Sequence, residues 1–282
     1  MSDTTAPLPA VLPASIPPLK VGKYTFQSRL LVGTGKYPDM PSMQMSLKES
    51  GCDVVTVAVR RANLNDRGSG KSLLDWIGPQ YQLLPNTAGC FTAEDALRTA
   101  RLGRELGISD MVKLEVLADQ QTLLPHPVQT LEATRILAAE GFTVLVYTSD
   151  DPVLAKELES AGAAAVMPAG APIGSGLGVI NRNSMEIILE RATVPIIIDA
   201  GVGTASDVTI AMELGAAGVL LNTGIANAQD PVRMARAMRH ALEAGYWASG
   251  AGRIAKRRYA NASSPTSGLI AASGHIGGVP GE

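Results

Sequence analysis

The sequence predicts an α/β fold, a single (β/α)8 TIM barrel, and three observations carry that expectation. Eight short, nearly continuous aliphatic runs alternate with longer amphipathic stretches, the pattern left by parallel strands covered on both faces. Glycines with similar flanks recur where helical stretches hand over to apolar runs, at Gly51, Gly107, Gly141, Gly162 and Gly215, as repeated βα units would place them. Aromatic residues make up only 4% of the chain against 29 glycines, which suits an interior of Val, Ile and Leu layers. A length of 282 residues also admits two average domains, but barrels of about 250 residues form one.

Along the chain, the first twenty residues carry five of the 18 prolines and show no helix or strand period. Residues 1–20 therefore read as a mobile, polyproline-like extension, without the basic start and apolar centre of a signal peptide. The expected barrel occupies 21–270. Its strands are Arg29–Gly33, Asp53–Val59, Gln82–Pro85, Met111–Val116, Thr143–Thr148, Ala164–Gly170, Val194–Gly201 and Ala217–Gly224. Helical periodicity covers Ala93–Leu106, Pro127–Glu140, Pro152–Ser160, Ser184–Arg191, Thr204–Leu214 and Pro231–Ala244. Two of these open on a capping residue and close on glycine, Thr204 with Gly215 and Asp230 with Gly245. Residues 271–282 read as a glycine-rich, flexible tail.

A doubly wound sheet is the structural competitor. The segment Gly33-Thr-Gly-Lys-Tyr37 lacks the third glycine of a dinucleotide fingerprint and the spacing of a phosphate-binding P-loop. A formal net charge of -2 argues against nucleic-acid binding, and no apolar run reaches the roughly 18 residues that span a bilayer. Cys52 and Cys90 sit in no CxxC, and His126, His240 and His275 are scattered, so no zinc pattern arises. Both cysteines read as reduced, packed thiols of a cytoplasmic protein.

Three features carry chemistry. Within Val112–Val116, Lys113 and Glu115 sit two apart, so strand alternation puts both on one face of an apolar strand. Such charges are rarely buried unless paired. The pair is a structural ion pair, a strand end where both groups reach water, or a lysine nucleophile, its pKa lowered by desolvation, beside a proton-moving carboxylate. Asp199 ends the seventh run and is followed by Ala200-Gly201-Val-Gly203-Thr204; Asn222-Thr223-Gly224 ends the eighth. Barrel sites form at such strand ends, and phosphate is often held after strands seven and eight. The alternative is that Asp199 and Asn222 merely cap turns. The loop Pro172-Ile-Gly174-Ser-Gly176-Leu-Gly178 allows close backbone approach to a ligand or a lid, and its composition equally suits an ordinary loop. Arg60 and Arg61 could pair with phosphate or carboxylate groups, or serve structure alone; Arg253, Lys256, Arg257 and Arg258 read as a solvated face.

Taken in order, Leu31–Tyr37, Thr56–Arg61, Val112–Val116, Val166–Gly170, Pro172–Gly176, Asp199–Gly203, Leu221–Gly224 and Ala262–Pro265 closely resemble the bacterial thiazole synthases, which build the thiazole phosphate half of thiamine. The likeness runs from about Phe26 to Leu269. It implies a barrel enzyme acting on 1-deoxy-D-xylulose 5-phosphate through a Schiff base on Lys113, with Glu115 and Asp199 as general acid and base. Gly174, Ala200, Gly201, Asn222 and Thr223 would contact the sugar phosphate, with backbone amides from Gly201 through Gly203 to Thr204 around the phosphate. It further implies dehydroglycine as second substrate, a small sulfur-carrier protein with a C-terminal thiocarboxylate as sulfur donor, a homotetramer, and no metal or other cofactor. The basic stretch from Arg253 to Arg258 would be a contact for an acidic carrier. A Schiff-base sugar-phosphate aldolase or transaldolase, or a non-catalytic sugar-phosphate-binding barrel, would share most of these residues.

Overall fold

The structure, a computed structural model, describes residues 15–61 and 70–264. Eight parallel strands form its central sheet: β3 (Leu30–Gly33), β4 (Val54–Ala58), β5 (Gln82–Asn86), β6 (Met111–Leu114), β7 (Thr143–Thr148), β8 (Ala165–Pro168), β9 (Ile197–Asp199) and β10 (Gly218–Leu221). They neighbour one another in the order β8-β7-β6-β5-β4-β3-β10-β9. Parallel bridges Val166–Ile196 and Ala169–Asp199 join β8 to β9 and close the sheet into the expected barrel. Every strand overlaps one of the predicted apolar runs.

Strand alternation sorts the side chains into two shells. One parity, including Leu30, Val32, Val55, Val112, Val144 and Val219, packs outward against the helices. The other, including Leu31, Val54, Leu84, Met111, Leu145 and Ile197, fills the interior. The helices are α1 (Met40–Ser50), α2 (Leu73–Ile77), α3 (Ala93–Glu105), α4 (Pro127–Ala139), α5 (Pro152–Ser160), α6 (Arg182–Arg191), α7 (Ala205–Glu213), α8 (Thr223–Ala226) and α9 (Pro231–Ala251). Among the described residues, no helix is long and apolar enough to cross a membrane.

Three differences from the sequence expectation have physical causes. Leu19 and Lys20, expected in the extension, belong to β1 (Leu19–Val21), which pairs antiparallel with β2 (Tyr24–Phe26). Leu19, Val21 and Phe26 of this hairpin join the interior apolar cluster and stopper the barrel at the N-terminal ends of its strands. The Asp53 carboxylate accepts from Gln27 N at 2.7 Å and Ser28 N at 3.3 Å, fastening the link from hairpin to β3. Residues 1–14 lie outside the described residues.

Helix α1, not anticipated, starts where Asp39 accepts from Ser42 N at 2.7 Å and stops at Gly51, whose φ is 63°. Its buried face alternates Met43 and Leu47 with Ser46 and Ser50, too polar a stripe to register as amphipathic. Helix α9 runs through Gly245 instead of ending there. A side chain at Gly245 would stand 2.6 Å from Met212 Cβ and from Thr209 O; this glycine serves close approach to α7, not chain reversal. One compact unit ends at Ala251. Residues 252–264 belong to a second unit, exposed throughout and without helix or strand, which carries Arg253 to Arg258. The tail from 271 lies outside the described residues.

Candidate active site

At the C-terminal ends of the strands the interior changes character. Lys113, one pleat beyond the apolar Met111 on β6, points into the barrel. Its Nζ lies 3.4 Å from Glu115 Oε1 and 2.5 Å from Asp199 Oδ2. All three side chains are at least nine-tenths buried: 8% of Lys113, 7% of Glu115 and 5% of Asp199 remain exposed. The inward face is thus the one occupied by the pair that alternation predicted, and β9 delivers Asp199 to it.

Glu115 stands just past the end of β6 and is held by a side chain the sequence reading overlooked. Thr87 Oγ1 donates to Glu115 O at 2.7 Å and accepts from Glu115 N at 2.8 Å, while Thr87 N donates to Lys113 O at 3.2 Å. Strands β5 and β6 pair regularly only at Asn86–Lys113, so the buried hydroxyl of Thr87 extends their pairing to the level of Glu115. Asp199 is positioned by strained backbone. The next residue, Ala200, takes a φ of 66°, a left-handed conformation that costs a residue with a Cβ about 1–2 kcal/mol, and its N–H donates to the Asp199 carboxylate. Gly201 continues at φ 81°, and any side chain there would lie 2.4 Å from Ala171 N; only glycine fits.

The electrostatics reverse one expectation. Burial by itself would push the Lys113 amine down, but Asp199 and then Glu115 outweigh it and hold the amine above its ordinary range. Burial raises both Glu115 and Asp199, with the Lys113 charge opposing the rise. One ammonium beside two buried carboxylates would leave a net negative charge in a nonpolar surround; keeping a proton on one carboxyl removes it. The cluster then holds a base and an acid side by side. The Tyr147 ring, fully buried, has its centroid 5.8 Å from Nζ.

These groups open onto a cavity of about 480 Å3, lined also by Thr56, Arg60, Asn86, Gly174, Ala200, Gly201, Asn222 and Thr223. Gly33 makes room for Asn222, since a Cβ there would come within 2.6 Å of the Asn222 Cβ. A smaller adjoining cavity of about 230 Å3 shares Gly174, Val202, Thr223 and Gly224 and adds Gly203. The two glycine loops stack tightly: a side chain on Gly203 would stand 2.7 Å from Gly176 O, and Gly178 N donates to Gly201 O at 2.8 Å. Of the ten predicted site residues, Lys113, Glu115, Asp199, Gly174, Ala200, Gly201, Asn222 and Thr223 line the larger cavity.

Thr204 lines neither cavity, and its N–H, like that of Gly203, donates to Asp207 Oδ2, at 3.1 and 2.9 Å. Both amides thus meet the Asp207 carboxylate, and Gly203 also lines the smaller cavity. Asn86 and Thr87, just past the run Gln82–Pro85, and Thr56, inside the run Asp53–Val59, were not expected at the site; their one signal was polarity in or beside otherwise apolar runs. The side chain of Arg61 lies outside the described residues. Among the described residues, no cluster of three or more His, Cys, Asp or Glu is placed to hold a metal ion, and Cys52 and Cys90 are buried, free thiols.

Comparison with known proteins bears on this geometry. The family model described as thiazole biosynthesis protein ThiG matches residues 20–265. A thiazole synthase of Citrifermentans bemidjiense is 61% identical over 246 residues, covering 87% of this chain and 94% of that protein. One of Sorangium cellulosum is 58% identical over 254 residues, with 90% and 98% covered. Among solved structures, the BexX/CysO complex of Amycolatopsis orientalis contains a chain 34% identical, superposing with a TM-score of 0.77 over 86% of this chain and all of that one. A matched region that spans both the closed barrel and its charged interior, at identities near 60%, establishes that this chain belongs to the thiazole synthase family.

Proposed function

We propose that the chain forms thiazole phosphate carboxylate from 1-deoxy-D-xylulose 5-phosphate, dehydroglycine and the thiocarboxylate of a small sulfur-carrier protein, by way of a Schiff base on Lys113. The observation that carries this reading is the buried Lys113 amine between Glu115 and Asp199 at the floor of a cavity. A lysine kept only for an ion pair would not need a second carboxylate or an open space above it.

As an ammonium in the resting cluster, Lys113 first passes a proton to a neighbouring carboxylate; Asp199 is the nearer, at 2.5 Å. The free amine then attacks the substrate ketone, and the displaced hydroxyl leaves as water after taking a proton from the cluster. The resulting iminium withdraws electrons and acidifies the adjacent C–H, and a carboxylate shuttles that proton to move the carbonyl along the chain. Sulfur enters from the carrier thiocarboxylate, and condensation with dehydroglycine closes the ring with loss of water and release of the carrier. Gly174, Ala200, Gly201, Asn222 and Thr223 hold the sugar phosphate at the β8 to β10 side of the mouth, with Val202 and Gly224 beside them. Binding the phosphate away from the reacting carbons supplies positioning energy.

Borohydride reduction in the presence of 1-deoxy-D-xylulose 5-phosphate, followed by peptide mass spectrometry, tests the assignment. The reduced sugar phosphate should appear on Lys113, and Lys113→Arg should abolish both adduct and thiazole formation. A folded protein that binds the sugar phosphate without forming the adduct would sink the Schiff-base role. Thiazole formation that needs no carrier thiocarboxylate would sink the sulfur step and return the aldolase-type reading.

A further inference from the structure

We propose that Arg60 is a specificity-determining residue that binds a carboxylate-type anion of the second or third substrate, across the cavity from the Gly174 loop. The inference rests on the Schiff-base reading of Lys113. Two cationic side chains line the large cavity among its described residues, Lys113 and Arg60. The Lys113 charge is matched by Glu115 and Asp199. That of Arg60 has no carboxylate partner among the described residues: its Nη1 donates to Gly89 O at 3.0 Å and its Nη2 to Cys90 Sγ at 3.4 Å.

Those two contacts anchor the guanidinium without neutralising it. Cys90 is fully buried, with Sγ 3.5 Å from Thr99 Oγ1, so the sulfur that receives Nη2 is itself fixed. A guanidinium carries five N–H donors, and three remain for a ligand. With Nη1 and Nη2 each engaged once, the Nε–H and the second hydrogen on each Nη remain, enough for a bidentate carboxylate.

Topology sets Arg60 apart from the Gly174 loop. Arg60 follows β4, four strands around the closed barrel from β8, whose loop carries Gly174. The Gly174 loop therefore lies on the wall opposite Arg60, while Lys113 of β6 and the Asn222-Thr223 turn after β10 each stand two strands from it. The sugar phosphate has no carboxylate. The anions left for Arg60 are the carboxylate of the imino acid and the thiocarboxylate ending the carrier, which share one recognition chemistry.

Arg60→Gln and Arg60→Lys would be compared with the unsubstituted protein in three titrations. The first follows the borohydride-trapped Lys113 adduct against 1-deoxy-D-xylulose 5-phosphate. The second follows thiazole formation against glyoxylate with ammonium salt, which equilibrate to the imino acid. The third follows it against carrier thiocarboxylate. In Arg60→Gln the adduct should half-saturate at the unchanged sugar phosphate concentration, which also reports an intact fold. The KM for the imino acid should rise about tenfold to a hundredfold, with partial recovery in Arg60→Lys, which keeps the charge but not the fork. A rise confined to the carrier titration assigns the same anion site to the thiocarboxylate. A rise confined to the sugar phosphate titration, or no change in any of the three, overturns the proposal. Absence of the adduct in the unsubstituted protein would instead remove the Schiff-base reading beneath it.

Discussion

The two ends of the barrel interior are built on the same strands and do opposite things. On β6 the inward side chains run from Met111 to Lys113 and then, just past the strand, Glu115; on β9 from Ile197 to Asp199; on β7 from Leu145 to Tyr147. One inward step along a strand is about 7 Å. Over that distance the environment passes from a dry apolar layer, sealed below by Leu19, Val21 and Phe26, to a cluster of one amine and two carboxylates under an open cavity. The N-terminal end gains stability from burial and holds no chemistry. The C-terminal end places charges where burial penalises them and strains Ala200 to aim one of them. The lesson is that strand alternation lets one fold keep stability and reactivity a single pleat apart, so substitutions at one end should be separable from those at the other.

The strongest way to break that separation is Phe26→Ala. Phe26 is fully buried at the stopper, and truncation of a buried phenylalanine costs about 3–5 kcal/mol, a large part of the roughly 5–15 kcal/mol that holds a domain together. The urea midpoint should fall accordingly. The protein that remains folded should still form the borohydride-trapped adduct at the unchanged half-saturating sugar phosphate concentration. Weaker sugar phosphate binding in the folded fraction would show that the two ends are coupled.

Thr87→Val probes the reactive end through a residue that touches no charge of the cluster directly. It keeps the shape but deletes both hydrogen bonds to the Glu115 backbone, leaving a buried N–H and C=O without partners, a loss of about 2 kcal/mol. If Thr87 positions Glu115, kcat should drop about tenfold with KM for the sugar phosphate unchanged, and the pH–rate profile should shift on the limb that Glu115 governs. Thr87→Ser should restore both. A stability loss with an unaltered kcat and profile would make Thr87 purely structural.

What the sequence disclosed divides along similar lines. All eight barrel strands were legible because each is an aliphatic run long enough to stand out, and Lys113, Glu115 and Asp199 were legible because charges inside such runs are rare. Features that depend on a partner distant in the chain were not. The hairpin from Leu19 to Phe26 is too short to separate from the proline-rich segment before it, and its meaning lies in the layer it covers. Thr87 holds the backbone of Glu115 from 28 residues away, and nothing local to Thr87 announces it. The direction of the Lys113 shift also needed three dimensions, because a neighbour from β9 decides whether burial or charge wins.

The smallest expected effect on stability is also the most direct test of the charge accounting at the reactive end. Asp199→Asn removes one buried carboxylate and leaves Lys113 paired with Glu115 at 3.4 Å, so the cluster becomes neutral without a shared proton. Asp199 is raised above its ordinary 3.8 by burial. The folded state therefore binds more protons than the unfolded one between 3.8 and the raised value, and the contribution of Asp199 to stability falls as pH rises through that window. The variant should then be within about 1 kcal/mol of the unsubstituted protein, or above it, at pH 8, and should lose that relative advantage on acidification toward pH 4, while thiazole formation collapses throughout. Urea midpoints of the two proteins across this range provide the reading. A variant destabilised by several kcal/mol at neutral pH, with the gap narrowing only in acid, would mean that Asp199 is an ionised structural partner of Lys113 and that the cluster holds no shared proton.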